Sequence, residues 1–177
     1  MKQIKNMSQA ELAARVQDVL QEAGITVVLS GGSAVSFYSS DKYVSKDLDL
    51  INAYFAKRKE IKAVMERIGF HEKGRYFIHP ESPYYVEFPE GPLSVGEEPV
   101  KQIEEFVLST GTLRVISPTD CVKDRLCAFY YWNDQQGLAQ AVLVAESQTV
   151  NLKEIKRWSK AEGREKEHKS FEGKLRK

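Results

Sequence analysis

The chain has 177 residues, 42% of them apolar and 29% charged, with a formal net charge of +1. That length and balance suit one domain with a real core, exclude a low-complexity chain, and leave the choice of partner undecided by overall charge. The longest apolar run falls far short of the roughly 20 residues of a membrane span, and MKQIKNMSQAEL at the start has no apolar secretion segment. The expectation is a cytoplasmic protein with no membrane partner.

Ser8-Gln9-Ala10-Glu11 reads as a capping box. Leu12, Val16, Val19 and Leu20 then recur at helical spacing, and Gly24 stops the helix. Ile25–Leu29 (ITVVL) is a short continuous apolar run, the kind of strand buried on both faces. Gly31-Gly32 breaks it, and a short helix is expected from Ser33. DLDLI, Asp47 to Ile51, alternates with the period of two of a strand. A second amphipathic helix is expected over 55–68, closed by Gly69. FHE, RYFIH and YYVEF read as strand pieces, FPEGPLSVGEEP as a turn-rich connection, and LRVIS (Leu113 to Ser117) as a further strand. Ser117-Pro118 is an N-cap and first-turn pair that opens a helix through PTDCVKDRLCAFYYW. GLAQAVLVAES and a helix from Asn151 complete a helical C-terminal third. The order is an α/β core, residues 1–116, carrying a helical cap and basic tail, residues 117–177, packed as one domain.

Cys121 and Cys127 are six apart, which suits neither a CxxC redox site nor a zinc knuckle, so both are expected as reduced thiols. From Asn151 to Lys177 there are ten Lys/Arg against five Glu, a charge of +5 that fits either nucleic-acid phosphate or a solvated helix. Phe129-Tyr130-Tyr131-Trp132 fits a partner surface or a base-stacking platform, while the i,i+3 spacing of Phe129 and Trp132 fits core packing.

The chemistry concentrates in VVLSGGSAVSFYSSDKYVSKDLDLI, Val27 to Ile51. Residues i and i+2 of a strand face the same way, with Cα atoms about 7 Å apart, so Asp47 and Asp49 share a face. Two nearby carboxylates repel, and one binds its proton more tightly unless a cation is shared. Mg²⁺ suits such hard oxygen ligands together with substrate phosphates. Glycines between a strand and a helix let backbone amides approach a phosphate at the positive helix end, with Ser33 as an added hydroxyl donor. Glu87, between Val86 and Phe88, is a lone acid in a strand with apolar neighbours. Three carboxylates on adjacent strands beside a phosphate-binding loop would make a two-metal phosphoryl-transfer site. An acidic–apolar–acidic–apolar run alone occurs by chance about once in a chain this long; the upstream glycine pair and the later acid give it weight. No P-loop and no GxGxxG is present, and the three histidines lack metal-ligand spacing.

LSGGSA, YVSKDLDLI and VEF together resemble the nucleotidyltransferase (polymerase-beta-like) superfamily. YVSKDLDL and SPTDCVKDRLCAF bring the chain nearer its small AbiEii-like bacterial and archaeal branch, which includes toxins of toxin–antitoxin pairs. The resemblance spans about residues 25–145. It implies an α+β fold with a mixed sheet flanked by helices, and transfer of NMP from an NTP to a hydroxyl on RNA, protein or a small molecule. Under it, Gly31, Gly32 and Ser33 hold the triphosphate, Asp47 and Asp49 ligate Mg²⁺ or Mn²⁺, and Glu87 ligates metal or takes the proton of the attacking hydroxyl. Arg125 becomes a triphosphate clamp with Lys123 as its competitor, the two lying on different sides of their helix. Ser45 and Lys46 line the approach, Lys46 as a phosphate contact or as a solvated lysine. Glu87 stands where many relatives carry Asp, and no separate substrate domain is recognisable. A catalytically weak nucleotide-, RNA- or partner-binding module on the same fold therefore stands as the alternative, and an antitoxin as a further implied partner.

Overall fold

A computed structural model describes residues 2–175. Its helices are α1 (Gln9–Glu22), α2 (Gly31–Tyr38), α3 (Arg58–Arg67), α4 (Pro118–Trp132), α5 (Gln135–Ser147), α6 (Leu152–Ala161) and α7 (Glu165–Leu175). Its strands are β1 (Val27–Ser30), β2 (Asp47–Asn52), β3 (His71–Lys73), β4 (Tyr76–Ile78), β5 (Tyr85–Glu87), β6 (Ser94–Val95), β7 (Glu98–Pro99), β8 (Ile103–Leu108) and β9 (Gly111–Ile116).

Seven strands form one mixed sheet in the order β3-β4-β5-β2-β1-β9-β8. The central strand β1 runs antiparallel to β2 and parallel to β9, and β2 runs parallel to β5. Burial follows the period of two. Leu48 on β2, Val86 on β5 and Phe77 on β4 stand opposite one another across the ladder, and all three are fully buried. That row fixes the register, because a one-residue slip would send three large apolar side chains to the other face. The residues between them are thereby turned outward together: Asp47 beside Tyr85, and Asp49 beside Glu87, which in turn faces Tyr76.

The capping box at α1 is present, with Ser8 Oγ accepting from the Glu11 amide and Glu11 accepting from the Ser8 amide. α1 lies on β1 and β9, and Gln17 ties it there by donating to the carbonyls of Val27 and Arg114. Two expectations shift at the edges. α2 begins at Gly31 rather than Ser33, and α3 begins at Arg58 because Phe55 has φ 55° and lies outside the helix. The turn-rich connection also holds two small strands, and its sequel holds β8, an edge strand paired only with β9.

The cap is held by the sequence features that signal it. Ser117 caps α4, with Pro118 in the first turn, and α4 packs along α5 and against α2. Trp158 of α6 is fully buried, stacks on Tyr130 and donates its indole N–H to the Val95 carbonyl at 3.1 Å. Phe129 is buried as core packing requires, but Trp132 is 77% exposed. The αL turn at Asn133 ends α4 there and leaves the indole outside. Cys121 and Cys127 are free thiols, buried and half-buried. Among the described residues no helix is long and apolar enough to cross a membrane.

Candidate active site

The site is assembled where β1 ends, α2 begins and the outer face of β2 and β5 is exposed. Gly31 turns the chain from strand to helix with φ 62°, a conformation that costs a side-chain-bearing residue strain. A Cβ there would also overlap Asp49 Oδ2. The Asp49 carboxylate therefore rests directly on the Gly31 backbone, which explains a glycine at this point on two independent grounds. Among the described residues no side chain caps the first amides of α2. An uncapped helix N-terminus presents unpaired N–H groups and a partial positive charge.

Ser33 has a different role from the one expected. Its hydroxyl donates to the Ser30 carbonyl at 2.9 Å and accepts from the Asp49 amide at 3.2 Å. A serine has one O–H to give, so this buried residue has none left for a triphosphate. Instead it straps the glycine turn to β2 at the aspartate. Ser45, expected to line the approach to the acids, also has its hydroxyl engaged: it donates to the Asp47 carbonyl and accepts from the Asp47 amide, while its own amide donates to Ser36 Oγ. The two serines position Asp49 and Asp47 through the backbone. Gly32 lies beneath Tyr43 and Ser45, whose side chains would be 3.4 Å from an added Cβ. Lys46 is exposed and has no ion-pair partner among the described residues.

Lys123 is the clearest correction. It is 1% exposed, 2.9 Å from Glu154 and 3.4 Å from Asp120, and lies over the Trp158 ring. It is an internal strut joining α4 to α6. Asp120 and Lys123, three residues apart, share one side of the helix, and Arg125 faces another. Arg125 donates Nε and Nη2 to Asp124 and Nη1 to Gln140 at 3.4 Å, and its field reaches Asp49.

Electrostatics single out Asp49. Its pKa is raised from 3.8 to about 6, first by burial, then by Glu87, with Asp124 and Asp47 adding and Arg125 partly opposing. Neighbouring carboxylates thus add to the effect of burial, and Arg125 offsets part of it. The donor set consists of hard carboxylate oxygens, which fits a divalent cation such as Mg²⁺. The third acid also meets a cation of its own. Glu87 Oε1 lies 3.6 Å from Arg75 Nε, and among the described residues no three acid, histidine or cysteine side chains gather as a metal-holding group. A cavity of about 240 Å³, lined by Leu29, Ser33, Ser36, Leu48 and Tyr84, lies on the opposite, buried side of β2 and includes none of the three acids. The three acids themselves are half-buried.

Sequence reading passed over Asp124, Gln140, Arg75, Tyr76 and Tyr85. Asp124 adjoins Arg125 and has no spacing signal of its own. The hairpin residues reach the acids only through the β4–β5–β2 register, for which the local sequence carries no mark.

No protein-family model matches the sequence, and no curated protein sequence matches it. Solved structures do. ANT(2")-Ia in complex with adenylyl-2"-tobramycin superposes with a TM-score of 0.56 at 14% identity, covering 88% of this chain and 97% of that one. The lincosamide antibiotic adenylyltransferase LnuA, bound to lincomycin, gives 0.52 at 18% identity, covering 81% and 99%. An antigenic nucleotidyltransferase-like protein from Paracoccidioides brasiliensis gives 0.55 at 12%, covering 78% and 76%. At such identities the likeness speaks for architecture. The chain has the nucleotidyltransferase fold.

Proposed function

We propose that the protein moves an NMP from an NTP to a hydroxyl acceptor. One observation carries this reading. Asp47 and Asp49 share an outer face with Glu87 in register, and Asp49 rests on the glycine turn that opens an uncapped helix, all on a nucleotidyltransferase fold. The α2 amides at Gly31 and Gly32 bind phosphate oxygens, and Arg125, oriented by Asp124 and Gln140, adds positive charge from the cap side. The acceptor oxygen bonds to the α-phosphorus, the bond from that phosphorus to the bridging oxygen breaks, and pyrophosphate leaves. The acceptor's proton passes to a carboxylate of the face. A divalent cation held by Asp47, Asp49 and Glu87 would neutralise the phosphate charge as it redistributes. Positioning and charge then supply most of the acceleration.

LnuA is a lincosamide antibiotic adenylyltransferase and ANT(2")-Ia was solved with adenylyl-2"-tobramycin, so small polyhydroxyl compounds belong in the acceptor panel beside RNA and protein. The test is transfer of label from α-labelled NTPs with Mg²⁺ or Mn²⁺, compared with the Asp47→Ala/Asp49→Ala double variant. Metal-dependent incorporation lost in that variant supports the reading. Nucleotide binding without transfer to any acceptor class sinks it in favour of a binding module. The Glu87–Arg75 ion pair, with no metal-holding group gathered among the described residues, is the observation that favours this second reading.

A further inference from the structure

We propose that Arg75 is a built-in counter-ion of the third acid, and that it sets how tightly the acid face takes up a divalent cation. The inference rests on reading that face as a cation and nucleotide site.

Arg75 follows Gly74, whose φ of 62° forms the β3–β4 turn, and precedes Tyr76, the cross-strand partner of Glu87. The guanidinium is placed by three contacts. Nε is 3.6 Å from Glu87 Oε1, Nη2 donates to the Tyr76 hydroxyl at 2.6 Å, and Cζ lies 4.8 Å from the Tyr76 ring centroid. The backbone beneath is fixed from outside. Arg58 Nη2 donates to the Arg75 carbonyl at 3.1 Å, while Arg58 Nε is held by Glu72 at 2.8 Å. The hairpin therefore delivers a cation to Glu87 from an anchored base.

Two properties make this contact a competitor rather than a permanent lock. The Arg75 side chain is 69% exposed, so it can leave Glu87 for water at small cost. A guanidinium does not give up its proton, so Glu87 is freed by movement of Arg75 and not by its neutralisation. While the pair stands, Glu87 Oε1 faces a fixed positive charge at 3.6 Å. A cation that takes Glu87 as a ligand has to displace the arginine.

The experiment is a Mn²⁺ titration of the nucleotide-free protein, read as free Mn²⁺ by electron paramagnetic resonance. It is run on the wild type, Arg75→Gln, Glu87→Gln, the double variant and Asp49→Asn. Loss of an exposed ion pair should tighten Mn²⁺ binding in Arg75→Gln by about two- to fivefold. That gain should vanish when Glu87 is already Gln, which is the coupling a double-mutant cycle isolates. Arg75→Lys, which keeps the charge, should stay near the wild type. Unchanged or weaker binding in Arg75→Gln overturns the proposal, as does a gain that persists in the Glu87→Gln background. If Mn²⁺ binding is absent, or indifferent to Asp49→Asn, the cation-site reading itself fails and the proposal falls with it.

Discussion

Asp49→Asn should make the folded protein more stable while abolishing its proposed chemistry. The Asp49 carboxyl titrates near 6 instead of 3.8, about two decades of proton affinity at ~1.4 kcal/mol per decade. The ceiling on the penalty is therefore about 3 kcal/mol, and partial exposure of the side chain brings the expectation to about 2. The sign follows from linkage. A carboxyl whose pKa is raised on folding favours the folded state when protonated, so the wild type loses stability as pH rises from about 4 through about 6. Asparagine keeps the shape and carries no charge, and the Asp49 carboxylate has no hydrogen-bond partner to lose among the described residues. The gain should be near zero at pH 4 and reach about 2 kcal/mol above pH 7, or about 4–8 °C in Tm for a chain of this size. Urea unfolding at pH 4, 6 and 8 measures it. Saturating Mg²⁺ should shrink the difference by stabilising the wild type selectively. A gain equal at all three pH values, or a loss at pH 8, would refute the reasoning.

Other outcomes follow from the positions of Ser33, Gly31 and Lys123. Ser33→Ala leaves the Asp49 amide without its acceptor and should cost about 1–3 kcal/mol, with reduced activity, measured by unfolding and label transfer. Gly31→Ala places a methyl against Asp49 in a left-handed conformation; a cost of about 1–3 kcal/mol and roughly tenfold weaker nucleotide binding (~1.4 kcal/mol) are expected in calorimetry. Lys123→Met strands the buried Asp120 and should lose about 3 kcal/mol of stability. Nucleotide affinity per folded molecule should stay unchanged, which separates a strut from a clamp.

The sequence made the inner half of this molecule legible because burial and period agree there. Leu48 and Leu50 alternate with Asp47 and Asp49, and the Ser8–Glu11 box and the Ser117-Pro118 pair mark helix starts by local hydrogen bonding. β8 was illegible for the opposite reason. As an edge strand it leaves Val107 88% exposed and Phe106 37% exposed, so apolar residues there do not report the core. Trp132 misled in the same direction. Lys123 and Arg125 are equally basic and two apart, and only the packing of α6 against α4 decides which is buried. For Ser33 the residue type pointed to a phosphate contact, but its hydroxyl partners depend on where β2 lies against α2. Glu87 was placed on the right strand, while its pairing with Arg75 depends on a hairpin register that no local motif encodes.

The most direct test of the account is a crystal structure with Mn²⁺ and a non-hydrolysable NTP analogue, with the metal located by anomalous scattering. The predicted result is a Mn²⁺ peak against Asp47 and Asp49, with the phosphates at the Gly31–Gly32 amides and Glu87 released from Arg75. A triphosphate bound elsewhere, or a metal that leaves Asp47 and Asp49 without a contact, would contradict it.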